Sequence, residues 1–364
     1  MIDSKLKAEP AFTPHPGEHL KDFLESLDLS QAELAKRAGV SQKHINQIIA
    51  GKVGITSEIA LAFEQVLGGG AEMWINLDAR YRLAQARGSS RKIHERLIEW
   101  AREFPLRDLR RRGYLSSKRC DADAVGELLR FFGVSDSEQW EACYGNLRAQ
   151  FRASPSLEAS VKAQATYVRI CEYRAEVWDL PAFDTSAFRQ ALAQVRGALR
   201  NDPQEVLGVA EELLGHAGVR LVLEPETAAS RLSGAAIWPR RNKAILALTA
   251  RFKTADHLWF SFFHEAAHIL YHRGRTVLET EGHTGDLESE ADRYARESLV
   301  SPDEYRALVE RGRPSINEIE RFAEHQGLPV DSVVGMLQHD RVLAFNEHND
   351  VKRRVRLERL VEAK

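Results

Sequence analysis

The chain has 364 residues, 43% hydrophobic and 29% charged, with a formal net charge of -2. That length calls for two or more domains, and the composition is ordinary for a soluble globular protein. No apolar run approaches the ~20 residues of a membrane span, and the first residues lack the apolar core of a signal peptide. Cys120, Cys143 and Cys171 lie far apart with no CxxC, which excludes a disulfide framework or a cysteine zinc site and fits a reducing cytoplasm.

In chain order, Pro16 to Leu27 carries apolar residues at helical spacing. In Leu29 to Lys52, Ser30 and Glu33 form a capping box, Gly39 turns the chain, and Ser41 caps a second helix. This is the pattern of a helix-turn-helix, whose second helix enters the major groove. Ile45, Ile48 and Ile49 point inward, and the polar face shows Gln42, Lys43, Asn46 and Gln47. Asn and Gln pair with adenine edges, while Lys43 and Lys52 meet phosphate or guanine. Gly54 to Leu67 reads as another capped helix, and Met73 to Tyr81 follows. Over residues 14–86 the chain resembles the HigA-type antidote branch of the Xre-like repressors. The resemblance implies a homodimer on palindromic operator DNA and, in some members, a toxin partner. Residues 1–85 hold 9 basic against 11 acidic side chains, so non-specific affinity is modest and binding depends on dimerisation.

Residues 87–200 read as a helical connecting region. Residues 86–120 hold 11 Lys or Arg against 4 Asp or Glu, including Arg110, Arg111 and Arg112. A solvated connecting helix from Arg91 to Phe104, ended by Pro105, is favoured there over a phosphate-contacting patch. Val125, Leu128, Leu129, Phe131, Phe132, Trp140, Leu147 and Phe151 continue the helical pattern, and 151–159 is a loop leading into a further helix.

Residues 201–310 hold the convincing strands and the chemistry. Val219 to Leu223 reads as a buried strand, and Gly234–Trp238 with Ala244–Leu248 reads as a hairpin. Trp238 is read as core rather than as part of a substrate groove. Next comes Leu258 to His272, which contains His264-Glu-Ala-Ala-His268. Positions four apart stack on one helix face, so the two imidazoles suit two corners of a zinc tetrahedron. Glu265 is placed to deprotonate a water as general base. Buried in apolar surroundings, this trio is costly unless it is paired or bound to metal. A third ligand is expected from a helix in the acidic segment Asp286 to Pro302, with Tyr294, Leu299 and Val300 as its apolar side and Pro302 as its stop. Glu290 is the choice and Glu288 the competitor, since spacing alone does not separate them. Tyr271, His272, His283 and Tyr294 are the residues available to stabilise an oxyanion. Residues 311–364 return to helices, with a capping box at Ser315 and Glu318 and a basic segment from Val351.

The run from Phe263 to His272, followed by Glu290-Ala-Asp-Arg-Tyr-Ala and Leu299-Val-Ser-Pro302, resembles the ImmA/IrrE metallo-endopeptidases. The resemblance implies a gluzincin-like fold with a zinc ion (Zn2+) on His264, His268 and Glu290, Glu265 as general base, and a protein substrate such as a repressor. Tyr294 stands where Phe is commoner, and Ser301 where Met is usual. The expected whole is mainly α with a small β-sheet (α+β): a DNA-binding regulator joined to a zinc endopeptidase that cleaves a repressor or itself. The rival reading is a non-proteolytic antidote-type repressor whose metal-binding fold serves as a sensor or toxin-binding scaffold.

Overall fold

The computed structural model describes residues 13–145, 160–175, 179–249, 254–280 and 286–355. Leu147, the 151–159 loop, His283 and the basic segment beyond residue 355 lie outside them. The chain divides into two compact units, residues 1–98 with 121–123, and residues 99–120 with 124–364. Among the described residues no helix is long and apolar enough to cross a membrane.

The described residues of the first unit form α1 (Pro16–Ser26), α2 (Gln31–Ala38), α3 (Gln42–Ile49), α4 (Ser57–Leu67) and α5 (Ala71–Arg96). Its core joins Leu20, Leu24, Leu34, Ile45, Ile48, Ile59, Phe63 and Trp74. Both halves of the expected Ser30/Glu33 capping box form, and Gly39 adopts the left-handed φ of 68° that closes α2. The boundary expected at residue 86 falls inside α5. Gly88 does not break that helix, since one internal glycine costs only about 1 kcal/mol relative to alanine. The single helix expected from Arg91 to Phe104 is instead divided, with α5 ending at Arg96 and α6 (Ile98–Arg102) following it.

In the second unit, α7 (Leu106–Arg111), α8 (Ala122–Phe132), α9 (Ser137–Tyr144), α10 (Val161–Ala175), α11 (Thr185–Ala198) and α12 (Pro203–His216) precede a mixed sheet. The sheet contains β1 (Val219–Leu223), β2 (Leu232–Arg240), β3 (Lys243–Leu248) and β4 (Val277–Thr280), in the order β1-β3-β2-β4. The expected hairpin forms as the antiparallel β2–β3 pair, β1 runs parallel to β3, and β4, which the sequence did not announce, pairs antiparallel with β2. Strand residues alternate between two cores, as a period of two requires. Ala236, Trp238, Leu246 and Leu248 face α13 (Ala255–Tyr271) and its neighbours. Ala235, Ile237, Ile245 and Ala247 face Tyr167, Val168 and Cys171 of α10. The boundary expected at residue 200 is therefore absent, because a helix of the middle region covers one side of the sheet. Trp238 is a core residue, as expected.

Arg112 and Arg174 converge on Glu224, each at 2.8–2.9 Å, and the Glu224 side chain is only 3% exposed. Arg112 also donates to the Pro225 carbonyl at 2.7 Å, so part of the basic run is internal bracing rather than solvated surface. After β4 come α14 (Asp286–Leu299), α15 (Pro302–Glu310), α16 (Ile316–His325) and α17 (Val330–His339). Residues 352–354 then return to the start of α13. Lys352 Nζ reaches buried Asp256 at 2.6 Å, Arg353 pairs with buried Asp331, and Arg354 bridges Thr254.

Candidate metal centre and nucleic-acid interface

In the first unit, the Ser41 hydroxyl accepts from the His44 amide at 3.2 Å and so starts α3. Ile45 and Ile48 are buried; Gln42, Lys43, Asn46 and Lys52 are exposed, and Gln47 is half-buried. Positions 42, 43, 46 and 47 share one helix face, so the expected readers stand together. Sequence reasoning missed what holds that face in place. A Cβ on Gly17 would lie 2.5 Å from the Ile49 carbonyl oxygen, so α1 and α3 meet backbone to backbone.

In the second unit, α13 is a buried helix. His264 is 2% exposed, and Glu265 and His268 are fully enclosed. Helix α14 packs against it. His264 Nε2 lies 3.0 Å from His268 Nε2 and 3.1 Å from Glu288 Oε2, and the His268–Glu288 separation is 3.7 Å. A tetrahedral zinc with ~2.0–2.1 Å bonds sets its ligand atoms roughly 3.3 Å apart, a value these three sides bracket. Among the described residues this is the cluster whose donor atoms suit a metal, and two imidazoles with one carboxylate is a zinc-type donor set.

The third member is Glu288, not the expected Glu290. With 3.6 residues per turn, Glu288 and Asp292 share the α14 face that meets α13, whereas Glu290 is turned about 200° from Glu288. Glu290 instead approaches His272 Nε2 at 3.3 Å. The far nitrogens of both imidazoles are also engaged. His264 Nδ1 meets Asp292 at 2.9 Å, and His268 Nδ1 meets His272 Nδ1 at 2.8 Å. Tyr271 and Tyr294 pack edge to face on each other, with centroids 5.6 Å apart.

Burial pushes the His268 imidazole below its usual range, which keeps it neutral. Burial alone would raise the Glu288 carboxyl, but hydrogen bonds from His264 and His268 outweigh it and hold the group at about 2. Glu265 is positioned by a residue that sequence reasoning also missed. A Cβ on Gly234 of β2 would lie 2.5 Å from Glu265 Oε1 and 2.8 Å from its Cγ, so the carboxylate occupies the space a side chain would need. The sequence signal was an isolated glycine inside a strand, which often marks a close approach.

Comparison with known proteins bears on the first unit. The helix-turn-helix family matches residues 20–73. Virulence-associated protein I of Dichelobacter nodosus is 37% identical over 81 residues, 22% of this chain and 75% of that protein. The HTH-type transcriptional regulator YddM of Escherichia coli is 30% identical over 73 residues, 20% of this chain and 78% of its own. Among solved structures, the Pseudomonas aeruginosa antitoxin HigA with the higBA promoter is 34% identical, covering 23% of this chain and 94% of that one, with a TM-score of 0.22. A HigA-family addiction module antidote protein from Coxiella burnetii is 33% identical, covering 23% and 92%, also with a TM-score of 0.22.

Proposed function

Because the chain belongs to the helix-turn-helix family through residues 20–73, we propose that it is a transcriptional regulator that binds operator DNA as a homodimer and carries a zinc-dependent endopeptidase unit. The DNA half is supported by exposed Gln42, Lys43 and Asn46 and half-buried Gln47 on one face of a capped second helix, with Lys52 just beyond it. The peptidase half rests on one observation: three donor atoms spaced as a tetrahedral ion requires, with Glu265 on the same helix as two of them.

Zinc held by His264, His268 and Glu288 would supply Lewis acidity toward a peptide carbonyl and acidify a water. Glu265 takes the proton of the attacking water and hands it to the leaving amine. Its burial beneath Gly234 keeps bulk water from competing for that proton. The substrate class is a protein, either a repressor or the chain itself. A toxin is the partner that the antidote-like half would bind.

The test begins with protein purified without chelator or histidine tag, which should carry about one zinc per chain. Replacing either His264 or His268 with Ala should remove the metal, while Glu265→Gln keeps it and abolishes cleavage of the chain or of its host's repressors. Zinc retained with no cleavage by the wild type would leave a non-proteolytic antidote-type scaffold. Operator titration at fixed salt should show Glu265→Gln binding like wild type. Asn46→Ala should lose about 1–3 kcal/mol if it reads an adenine.

A further inference from the structure

We propose that His272 and Glu290 act as a positioning pair for the metal ligand His268. The inference deepens the zinc reading above and rests on it. His264, His268 and His272 follow each other at intervals of four, so their rings form one column along α13 and its C-cap. The outer nitrogens of the two ligand histidines are held differently. His264 Nδ1 reaches a carboxylate directly, at Asp292, 2.9 Å away. His268 Nδ1 reaches another imidazole, His272 Nδ1, at 2.8 Å, and His272 Nε2 in turn lies 3.3 Å from Glu290 Oε2.

Two neutral nitrogens 2.8 Å apart need one donor and one acceptor. A metal on His268 Nε2 fixes which is which. His268 must then carry its proton on Nδ1 and donate it to His272 Nδ1. His272 must carry its own proton on Nε2 and donate that to the Glu290 carboxylate. Each link has a single arrangement, so the ring plane and tautomer of His268 are set from outside the metal shell. The side chains grade outward, from fully enclosed His268 through His272 at 6% exposure to Glu290 at 39%. The chain of bonds therefore ends on a carboxylate at the solvent edge. The acidic residues of the Glu288-Ser-Glu290-Ala-Asp292 run thus divide the work, with Glu288 as ligand, Glu290 as the anchor of His272, and Asp292 as the anchor of His264.

The experiment measures zinc affinity by chelator competition and records the visible spectrum of the cobalt(II)-substituted full chain. Wild type, His272→Leu, His272→Asn, Glu290→Gln and His264→Ala are compared. His272→Leu and Glu290→Gln should bind zinc roughly 10- to 100-fold more weakly, with a displaced cobalt band. His272→Asn, whose Oδ1 can accept from His268 Nδ1, should recover most of the affinity and the wild-type band. A purely packing role would not distinguish Asn from Leu in this way. Glu290→Gln is near isosteric and half-exposed, so it keeps the test open if His272→Leu fails to fold. Unchanged affinity and cobalt band in Glu290→Gln, or in a folded His272→Leu, overturns the proposal. Failure of the zinc reading looks different, because wild type and His264→Ala would then be equally metal-free, and the positioning role would fall with it.

Discussion

Replacing Gly234 with Ala tests how tightly Glu265, the proposed general base, is held. The new Cβ would lie 2.5 Å from Glu265 Oε1 and 2.9 Å from its Cδ. An ordinary contact is ~3.5 Å or more, so the carboxylate must withdraw by about 1 Å. It has no solvent to withdraw into, since Glu265 is fully enclosed. Gly234 is not among the positive-φ glycines, so alanine can adopt its backbone conformation. The stiffer unfolded chain then contributes about 0.4–1 kcal/mol of stability, against about 1–3 kcal/mol lost to overpacking. A misplacement of ~1 Å at a reacting group costs about 10²-fold in rate, or roughly 2.7 kcal/mol of barrier. The expected signature is a small loss of thermal stability, full zinc content, and turnover reduced about a hundredfold. It is read on the protein substrate that wild type cleaves and Glu265→Gln does not. Wild-type turnover by Gly234→Ala would show that Glu265 need not stay where β2 holds it, and would remove the basis for calling it the base.

Glu288→Gln should weaken zinc more than Glu290→Gln, because only Glu288 reaches both ligand imidazoles; chelator competition gives the order, and the reverse order would restore Glu290 as ligand. Arg112→Met should destabilise the second unit by about 3 kcal/mol, the low end for breaking a buried pair, because Arg174 still faces Glu224; a denaturant midpoint unchanged from wild type would contradict that. Asp340 supplies an acid-sensitive contribution. Burial pushes its carboxyl up, but hydrogen bonds from His339, Arg296 and Tyr305 outweigh that and bring it down from 3.8 to about 2. A depressed acid stabilises above its unfolded value and loses that contribution as pH falls through the folded one. Stability should therefore drop between pH ~4 and ~2, and Asp340→Asn should flatten that part of the curve in thermal melts.

What could be read from the sequence was whatever depends on near neighbours. The capping box at Ser30, the turn at Gly39, the inward isoleucines of α3 and the stacked imidazoles of α13 all follow from spacings of three or four residues. The β2–β3 hairpin was also legible, because its strands are separated by a short polar turn. The choice between Glu288 and Glu290 was not, since it depends on how α14 is rotated against α13. Strand β4 has only four residues and ends in Glu-Thr, too short for a periodicity to declare itself. The Arg112–Glu224 pair joins residues 112 positions apart, and nothing local marks either partner. Gly234 stood out only as a glycine in a strand, and what it makes room for depends on the side chain across from it.

The return of residues 352–354 to the first turn of α13 has a consequence for the order in which the protein is made. Asp256 and the lysine that neutralises it are 96 residues apart. At about 5–20 residues per second, a ribosome needs on the order of 5–20 s to travel from one to the other. Throughout that interval the first turn of the metal-site helix holds a carboxylate that cannot be buried with its cation, so the helix cannot settle against the sheet in its final state. The residues of the helix-turn-helix have all been synthesised by then. A growing chain would thus complete its helix-turn-helix unit before the helix that carries His264 and His268 can take its final place.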